Sequence, residues 1–142
     1  MKKIFLTQDS FGLFILRICI GLMFMTHGSQ KLFGAFGGSG IVGTANLFSG
    51  MGLPNPTLQA YLAGGSEFFG GLFLTLGLLT RLAVFPPLVV MIVAITKVHW
   101  VHGFFMQKGG FEYPLMIVGA LVALLSLGGG KFSVDRKIGK PR

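Results

Sequence analysis

Seven polar residues set in apolar stretches are the side chains of this sequence best suited to chemistry. An ionisable group inside an apolar helix costs roughly 3 kcal/mol on insertion scales, so it is usually kept only where it faces a partner or a water-filled cavity. The pattern predicts a ligand pocket whose donors could hold the oxygens of an anionic or quinonoid head group while its tail stays in lipid. It assigns no catalytic residue. The predicted pocket residues are Arg17, His27, Gln30, Lys31, Glu67, Lys97 and His99.

Arg17 and Glu67 are the two charges expected deepest within the apolar segments. An arginine side chain is long enough to reach a carboxylate on a neighbouring helix, so the sequence predicts that these two residues pair. Two interpretations stay open. The pair could simply neutralise two buried charges and lock the helices together, or it could form the base of a functional pocket.

The other five predicted pocket residues lie toward the opposite end of the helices from the chain termini. His27, Gln30 and Lys31 follow one another on the first helix, and Lys97 and His99 end the third. They could line the mouth of a cavity with Glu67 at its base. The alternative is that the lysines extend to the membrane surface and the histidines simply lie there.

His99, His102 and Glu112 are weak candidates for a metal site. Histidine and carboxylate ligands suit zinc, copper or iron, and a His-x-x-His spacing can place both rings on one side of a helix. Haem needs axial ligands from the middle of helices, and the three histidines of this chain are all expected near one surface. Haem and metal are therefore disfavoured, a quinone fits better, and the sequence alone assigns no cofactor.

Three other chemistries find no support in the sequence. The single cysteine, Cys19, can form neither an internal disulfide nor a dithiol couple. Residues 38–43, GSGIVG, match the dinucleotide-binding pattern of glycines, but the strand that must precede it is missing. Asp9 and Asp135 are expected on the opposite side from the histidines, which excludes a Ser-His-Asp arrangement.

The composition predicts an integral membrane protein. Of its 142 residues, 52% are hydrophobic and 11% charged, against about 25% charged in soluble domains; the mean hydropathy is +0.76. The net charge of +8 comes largely from Lys2, Lys3 and the tail 131–142. Short basic segments beside apolar helices are a cytoplasmic topology signal, so nucleic-acid binding is not expected.

The apolar segments predict one all-α domain, residues 1–142, with four transmembrane helices. The expected spans are 11–36, 57–79, 82–98 and 112–127. The glycine-rich connection 37–56 could hold a short interfacial helix. An even number of spans puts both termini on one side, and the distribution of basic residues makes that side the cytoplasm.

Helical periodicity predicts which faces of the first two spans point inward. Small residues let helices approach closely in lipid, and they recur beside the polar residues with the spacing of a helix. On the first span the inward stripe is Arg17, Gly21, Phe24, Gly28 and Lys31. On the second, the residues around Glu67 are Gly64, Gly70, Gly71 and Gly77.

The order and spacing of five motifs resemble the DoxX family of small bacterial integral membrane proteins, from Arg17 to Asp135. The motifs are HGSQKLFG at 27–34, GLP at 52–54, EFFGG at 67–71, GLLTR at 77–81 and SVDR at 133–136. The resemblance implies four helices in the bacterial inner membrane. Its polar motif residues here are Arg17, His27, Gln30, Lys31 and Glu67.

The resemblance also implies a link to redox chemistry. The family name comes from a subunit associated with a terminal oxidase and a thiosulfate:quinone oxidoreductase, and some relatives accompany thiol- or superoxide-handling proteins or respond to quinone stress. We therefore expect a membrane component of an oxidoreductase system, without a redox centre of its own, that binds a quinone or similar ligand. The alternative is a non-enzymatic scaffold or small-lipid carrier that recruits soluble redox proteins through its basic tail. Besides the lipid bilayer, the expected partners are a soluble redox protein or a second copy of the chain.

Overall fold

The computed structural model describes residues 2–139, with side chains from residue 4 onward. Residues 1 and 140–142 and the side chains of residues 2 and 3, which the topology prediction uses, lie outside this range. All regular secondary structure in the described part is helical, which confirms the all-α prediction. The main helices are α1 (Phe11–Phe33), α2 (Gly40–Gly50), α3 (Pro56–Leu76), α4 (Thr80–His102), α5 (Glu112–Leu127) and α6 (Val134–Gly139).

Local sequence signals determine where helices α1 and α3 begin or end. The Ser10 hydroxyl accepts a hydrogen bond from the amide of Leu13 and caps the start of α1. Gly34 (φ +69°) ends α1 and Gly77 (φ +66°) ends α3, since both adopt the left-handed conformation that glycine tolerates. These glycines explain why each helix is three residues shorter at its end than predicted.

Glycines set the register between α1 and α3. A Cβ atom on Gly71 would lie 2.6 Å from the carbonyl oxygen of Gly21, and one on Gly28 would lie 2.8 Å from that of Gly64. The two backbones therefore touch at two levels seven residues apart on each helix. Most of each predicted inward stripe is confirmed, since Arg17, Gly21, Phe24 and Gly28 are buried on α1 and Gly64, Glu67, Gly70 and Gly71 on α3. Of the other two predicted members, Lys31 is partly exposed and Gly77 lies just after the end of α3.

Helix α4 departs from regular geometry in two places. Pro86 and Pro87 lack amide donors, and the regular α-helical hydrogen bonding is interrupted just before them, between Ala83 and Phe85. Near its far end, Ile95–His99 forms a π-helical turn, a feature often found at functional sites. This turn contains Lys97 and His99, two of the predicted pocket residues.

The packed core occupies the half of the bundle nearest the termini. Its buried side chains come from all four long helices: Leu13, Phe24, Leu74, Ala83, Val84, Ile117, Leu121 and Leu124. Residues 6–10 contact residues 127–136 beneath this core, as in the hydrogen bond from the amide of Gln8 to the carbonyl of Leu127. The two terminal segments therefore meet at the same end of the bundle.

Among the described residues, α1 and α4 are long and apolar enough to cross a membrane, and α5 is a shorter apolar helix of 16 residues. Large apolar side chains are exposed on every long helix, including Ile15, Phe69, Ile92 and Met116. An apolar exterior of this kind suits lipid rather than water. The count of four spans stays a prediction.

Candidate functional site

A cavity of about 720 Å³ lies between α1, α3, α4 and α5 in the half of the bundle away from the termini. Helix α2 and the turn after it cap the cavity with Leu47, Phe48, Met51 and Leu53. Most of the lining is apolar. The polar side chains that line it are His27, Lys31, Gln59, Ser66, Glu67, Lys97, His99 and Tyr113.

The centre of the polar part is an ion pair between Lys31 and Glu67. The Lys31 Nζ atom lies 2.5 Å from Oε2 of Glu67, and the side chain of Glu67 is 2% exposed, against 25% for Lys31. Side chains on a helix lean toward its N-terminus, so Lys31 reaches back along α1 to the level of Glu67. The lysine thus joins a buried carboxylate to the cavity.

Further donors approach the pair from two helices. His27 lies one turn before Lys31 on the same face of α1. The π-helical turn of α4 brings Lys97 and His99 to the lining, and His99 Nδ1 is 2.7 Å from the carbonyl oxygen of Gly109. His27 and Lys97 form no hydrogen bond or ion pair with any described residue.

The described lining of the cavity has more lysine and histidine side chains than carboxylates. Among the described residues that line the cavity, Glu67 is the only carboxylate and is matched by Lys31, whereas Lys97 and the two histidines face the same space. The arrangement can offer several donors to the oxygens of a planar or anionic head group, with apolar surface around them. Sites of this composition and size are typical for small molecules.

The predicted pairing of Arg17 with Glu67 is wrong. Arg17 instead donates to the backbone carbonyls of Leu74 and Thr75 at the end of α3 and of Gly129 and Lys131 after α5, with distances of 2.9 Å to Gly129 and 3.3 Å to Leu74 and Lys131. The glycine register explains this. It places Arg17 opposite Thr75, two helical turns from Glu67, and a positive charge there complements the C-terminus of α3.

Asp135 completes a second polar group beside Arg17. Its carboxylate accepts hydrogen bonds from the amides of Leu79 (2.7 Å) and Thr80 (2.8 Å), and it is buried. Arg81 donates to the carbonyls of Leu6 and Leu125. We call Arg17, Arg81 and Asp135 with their backbone partners the terminal cluster. It joins the GLLTR and SVDR motifs and lies outside the cavity.

The remaining predicted residues have local roles. Gln30 does not line the cavity; its Nε2 atom is 3.4 Å from the carbonyl oxygen of Phe36. Glu112 accepts from the amide of Met106 at 3.0 Å. Within residues 2–139, His99, His102 and Glu112 do not come together, and no group of three metal-ligating side chains was found. The structure therefore places five of the seven predicted pocket residues at the cavity.

Three polar lining residues were not predicted: Gln59, Ser66 and Tyr113. Ser66 directly precedes Glu67, so its proximity could have been expected from the sequence. Tyr113 is the second residue of α5, and its hydroxyl lies 3.0 Å from the sulfur of Met23. Gln59 and Tyr113 carried no sequence signal beyond their position near helix ends.

Comparison with known proteins supports the resemblance to the DoxX family. The DoxX family model matches residues 12–100. An uncharacterized membrane protein of Mycobacterium tuberculosis is 33% identical over 135 residues, covering 88% of this chain and 80% of the relative. The protein named "Putative oxidoreductase CatD" of Bacillus subtilis is 31% identical over 113 residues, covering 80% of this chain and 78% of the relative. No solved structure matches the chain significantly.

The matched region holds most of the candidate site. Residues 12–100 include the Lys31–Glu67 pair, His27 and the three lining residues of the π-helical turn of α4, Lys97, Val98 and His99. The family match covers more than half of the chain, and the mycobacterial relative is itself described as a membrane protein. This chain therefore belongs to the DoxX family of membrane proteins.

Proposed function

We propose that the chain is the membrane component of an oxidoreductase system and binds a quinone or a similar lipid-soluble ligand in the cavity. It does so as a four-span protein of the bacterial inner membrane, with both termini in the cytoplasm. The observation that carries the proposal is the Lys31–Glu67 pair at the edge of a largely apolar cavity, beside His27 and Lys97, which pair with no residue in the described part of the chain. A purely structural ion pair would need no such space in front of it.

The size and lining of the cavity suit this ligand class. A volume of about 720 Å³ falls within the range of about 300–1,000 Å³ usual for small-molecule sites. The apolar walls would hold a ring, and Lys31, Lys97 or His27 would donate to its oxygens. His27 could also exchange a proton with the ligand, because an imidazole ring can both donate and accept a hydrogen bond through its two nitrogens.

Electrons would come from a partner protein or a bound cofactor. The chain has one cysteine, so it cannot carry a dithiol couple of its own. The name of the Bacillus relative supports a role in oxidation and reduction. In this proposal the chain binds and orients the ligand, and another component supplies the electrons.

The direct test is extraction of the detergent-purified protein with organic solvent, followed by mass spectrometry. We expect a quinone at about one per chain in the wild type, and its loss in Glu67→Gln and His27→Ala. Gln30→Ala is the matched control because Gln30 lies on the same helix outside the cavity. Ordinary phospholipid alone in every sample would contradict the proposal.

The second candidate function is a scaffold that recruits soluble redox proteins through its basic end. The supporting observation is the short surface helix α6, on which Lys137 is exposed. Truncation of 131–142 is a poor test because it would also remove Asp135 and the carbonyl of Lys131 from the terminal cluster. Lys137→Gln combined with Lys140→Gln keeps the cluster, and loss of partner recruitment with retained quinone would favour the scaffold.

A further inference from the structure

Helices α3 and α4 are in close contact in the half of the bundle near the chain termini, and farther from the termini the cavity lies between them. A Cβ atom on Gly70 would lie 2.9 Å from Cδ of Pro87 and 3.4 Å from the carbonyl oxygen of Ala83, so the two helices are in close contact at that level. Farther from the termini, Ala63 on α3 and Ala94 on α4 both line the cavity. The two helices therefore enclose a crevice that is closed at Gly70 and continuous with the cavity.

The outer edge of this crevice is apolar and open. Leu62 on α3 and Val89 and Val93 on α4 line the cavity, yet they are 55%, 59% and 41% exposed. A side chain that both lines the cavity and is exposed borders an opening, and these three do so between α3 and α4; Leu47 and Tyr113, which are 58% and 46% exposed, do so beside α2 and α5. In a membrane protein, an opening bordered by apolar side chains in the middle of two long helices faces hydrocarbon, because water would find no polar partner there.

The polar and apolar ends of the cavity are thus arranged along one path. Lys31 and Glu67 lie on the inner side, where α1 packs on α3, and the apolar edge of the crevice lies toward the lipid. A ligand with a polar ring and a long apolar tail could place its ring against the pair. Its tail would then leave between α3 and α4 without crossing a polar surface.

We infer that the ligand is a long-tailed amphiphile that enters sideways from the bilayer, with its tail remaining in the crevice between Leu62, Val89 and Val93. This inference rests on the proposed function and deepens it by naming the ligand class. It distinguishes a tailed isoprenoid ligand from a small aromatic compound that reaches the cavity from water. The tail is in an apolar environment both in the bilayer and in the crevice. The crevice should therefore accommodate the tail, and the tail should add little to the affinity of the protein for the ligand.

The test compares two probes with the same naphthoquinone ring, menadione without a tail and menatetrenone with a tetraprenyl tail. The full chain is placed in lipid nanodiscs, and binding is followed by quenching of Trp100, the single tryptophan, which follows His99 of the lining. Affinities are compared per mole fraction of probe in the bilayer, with empty discs correcting for partition. For the wild type we expect the two affinities to agree within about threefold.

The blocking variant is Val89→Phe combined with Val93→Phe, and Leu62→Phe is the alternative from the other helix. The bulkier side chains should weaken menatetrenone by about tenfold and leave menadione unchanged. The control is Met116→Phe with Val122→Phe, which adds similar bulk to exposed positions of α5 outside the cavity lining. It should leave both probes unchanged.

Each other outcome counts against the inference. If the wild type binds menadione but rejects menatetrenone, the cavity is closed to tails, and the proposed function survives alone. If a folded blocking variant keeps both probes, the tail leaves elsewhere; if it loses both, Val89 and Val93 contact the ring. If the wild type binds neither probe, the proposed quinone site fails and this inference fails with it.

Discussion

The terminal cluster and the cavity both place charged side chains inside an apolar bundle, but they use them differently. Arg17 gives its donors to four backbone carbonyls, and both oxygens of Asp135 accept backbone amides. Glu67 has a single described partner, Lys31, and a cavity lies beside the two. Buried charges satisfied entirely by the backbone hold the structure together, whereas charges left with few protein partners are available to a ligand.

The comparison also shows why sequence alone could not assign the two roles. Arg17 and Glu67 are both polar motif residues in apolar segments. What separates them is the carbonyl-rich end of α3 on one side and the divergence of α3 from α4 on the other. The predictions below test that difference, beginning with the largest expected effect.

Arg17→Met should destabilise the protein most. It removes the charge that caps the end of α3 and leaves the carbonyls of Thr75 and Gly129 without the donor that Arg17 supplies. We expect a loss of about 3–5 kcal/mol, as when one member of a buried charged group is removed. Thermal unfolding in detergent measures it, and Arg17→Lys should recover only part because an ammonium cannot match the guanidinium geometry. A normally stable Arg17→Met protein would show that the terminal cluster is not structural.

Asp135→Ala should come next. The amides of Leu79 and Thr80 would lose their acceptor at the start of α4, at a cost of about 2 kcal/mol. Asp135→Asn keeps one acceptor oxygen and should lose roughly half as much. The same unfolding measurement applies, and hydrogen exchange should increase at residues 77–83 in the alanine variant. Equal stability of Asp135→Ala and the wild type would be inconsistent with this capping role.

Glu67→Gln should cost about 1 kcal/mol, because Lys31 is partly exposed and can reach water in the cavity. The double variant Lys31→Met with Glu67→Gln removes both charges and should regain that stability while still failing to retain quinone. Stability and extracted quinone are measured on the same preparations. If the double variant retained quinone, the Lys31–Glu67 pair would be structural, like the terminal cluster, and would not be part of a binding site.

Lys97→Gln should have the smallest effect on stability, close to zero, because Lys97 is exposed and pairs with no described residue. Its expected effect is on binding: an anionic probe such as lawsone should bind a few-fold more weakly, about 1 kcal/mol. Menadione, which is neutral, should bind as before. Equal weakening of both probes would mean that Lys97 shapes the cavity and does not recognise charge.

Much of the fold could be predicted from the sequence. The inward stripes of α1 and α3 follow from periodicity, and the helix predicted at 112–127 matches the bounds of α5. The register between α1 and α3 was not predicted, although the spacing of glycines in the sequence contains a signal for it. Gly21 and Gly28 are seven residues apart, as are Gly64 and Gly71, and matching these pairs in antiparallel order places Arg17 opposite Thr75 instead of Glu67.

The cavity itself could not be predicted in this way. It depends on Gly70 touching Pro87, which lets α3 and α4 separate above that point, and on a π-helical turn that brings Lys97 and His99 to the lining. Neither follows from periodicity, because both depend on the packing of whole helices. Asp135 was recognised within a motif, but its partners are amides 55 and 56 residues away.

The most direct test of the central claim is a ligand-induced thermal shift measured on three proteins. Menadione at a saturating concentration is added to the wild type, Arg17→Lys and Glu67→Gln in detergent. The account predicts that Arg17→Lys unfolds at a lower temperature but is stabilised by menadione as much as the wild type is. Glu67→Gln should unfold only a few degrees below the wild type, less far below it than Arg17→Met, and menadione should not raise its unfolding temperature. Equal shifts in the wild type and Glu67→Gln, or loss of the shift in Arg17→Lys, would contradict the division between a structural cluster and a binding cavity.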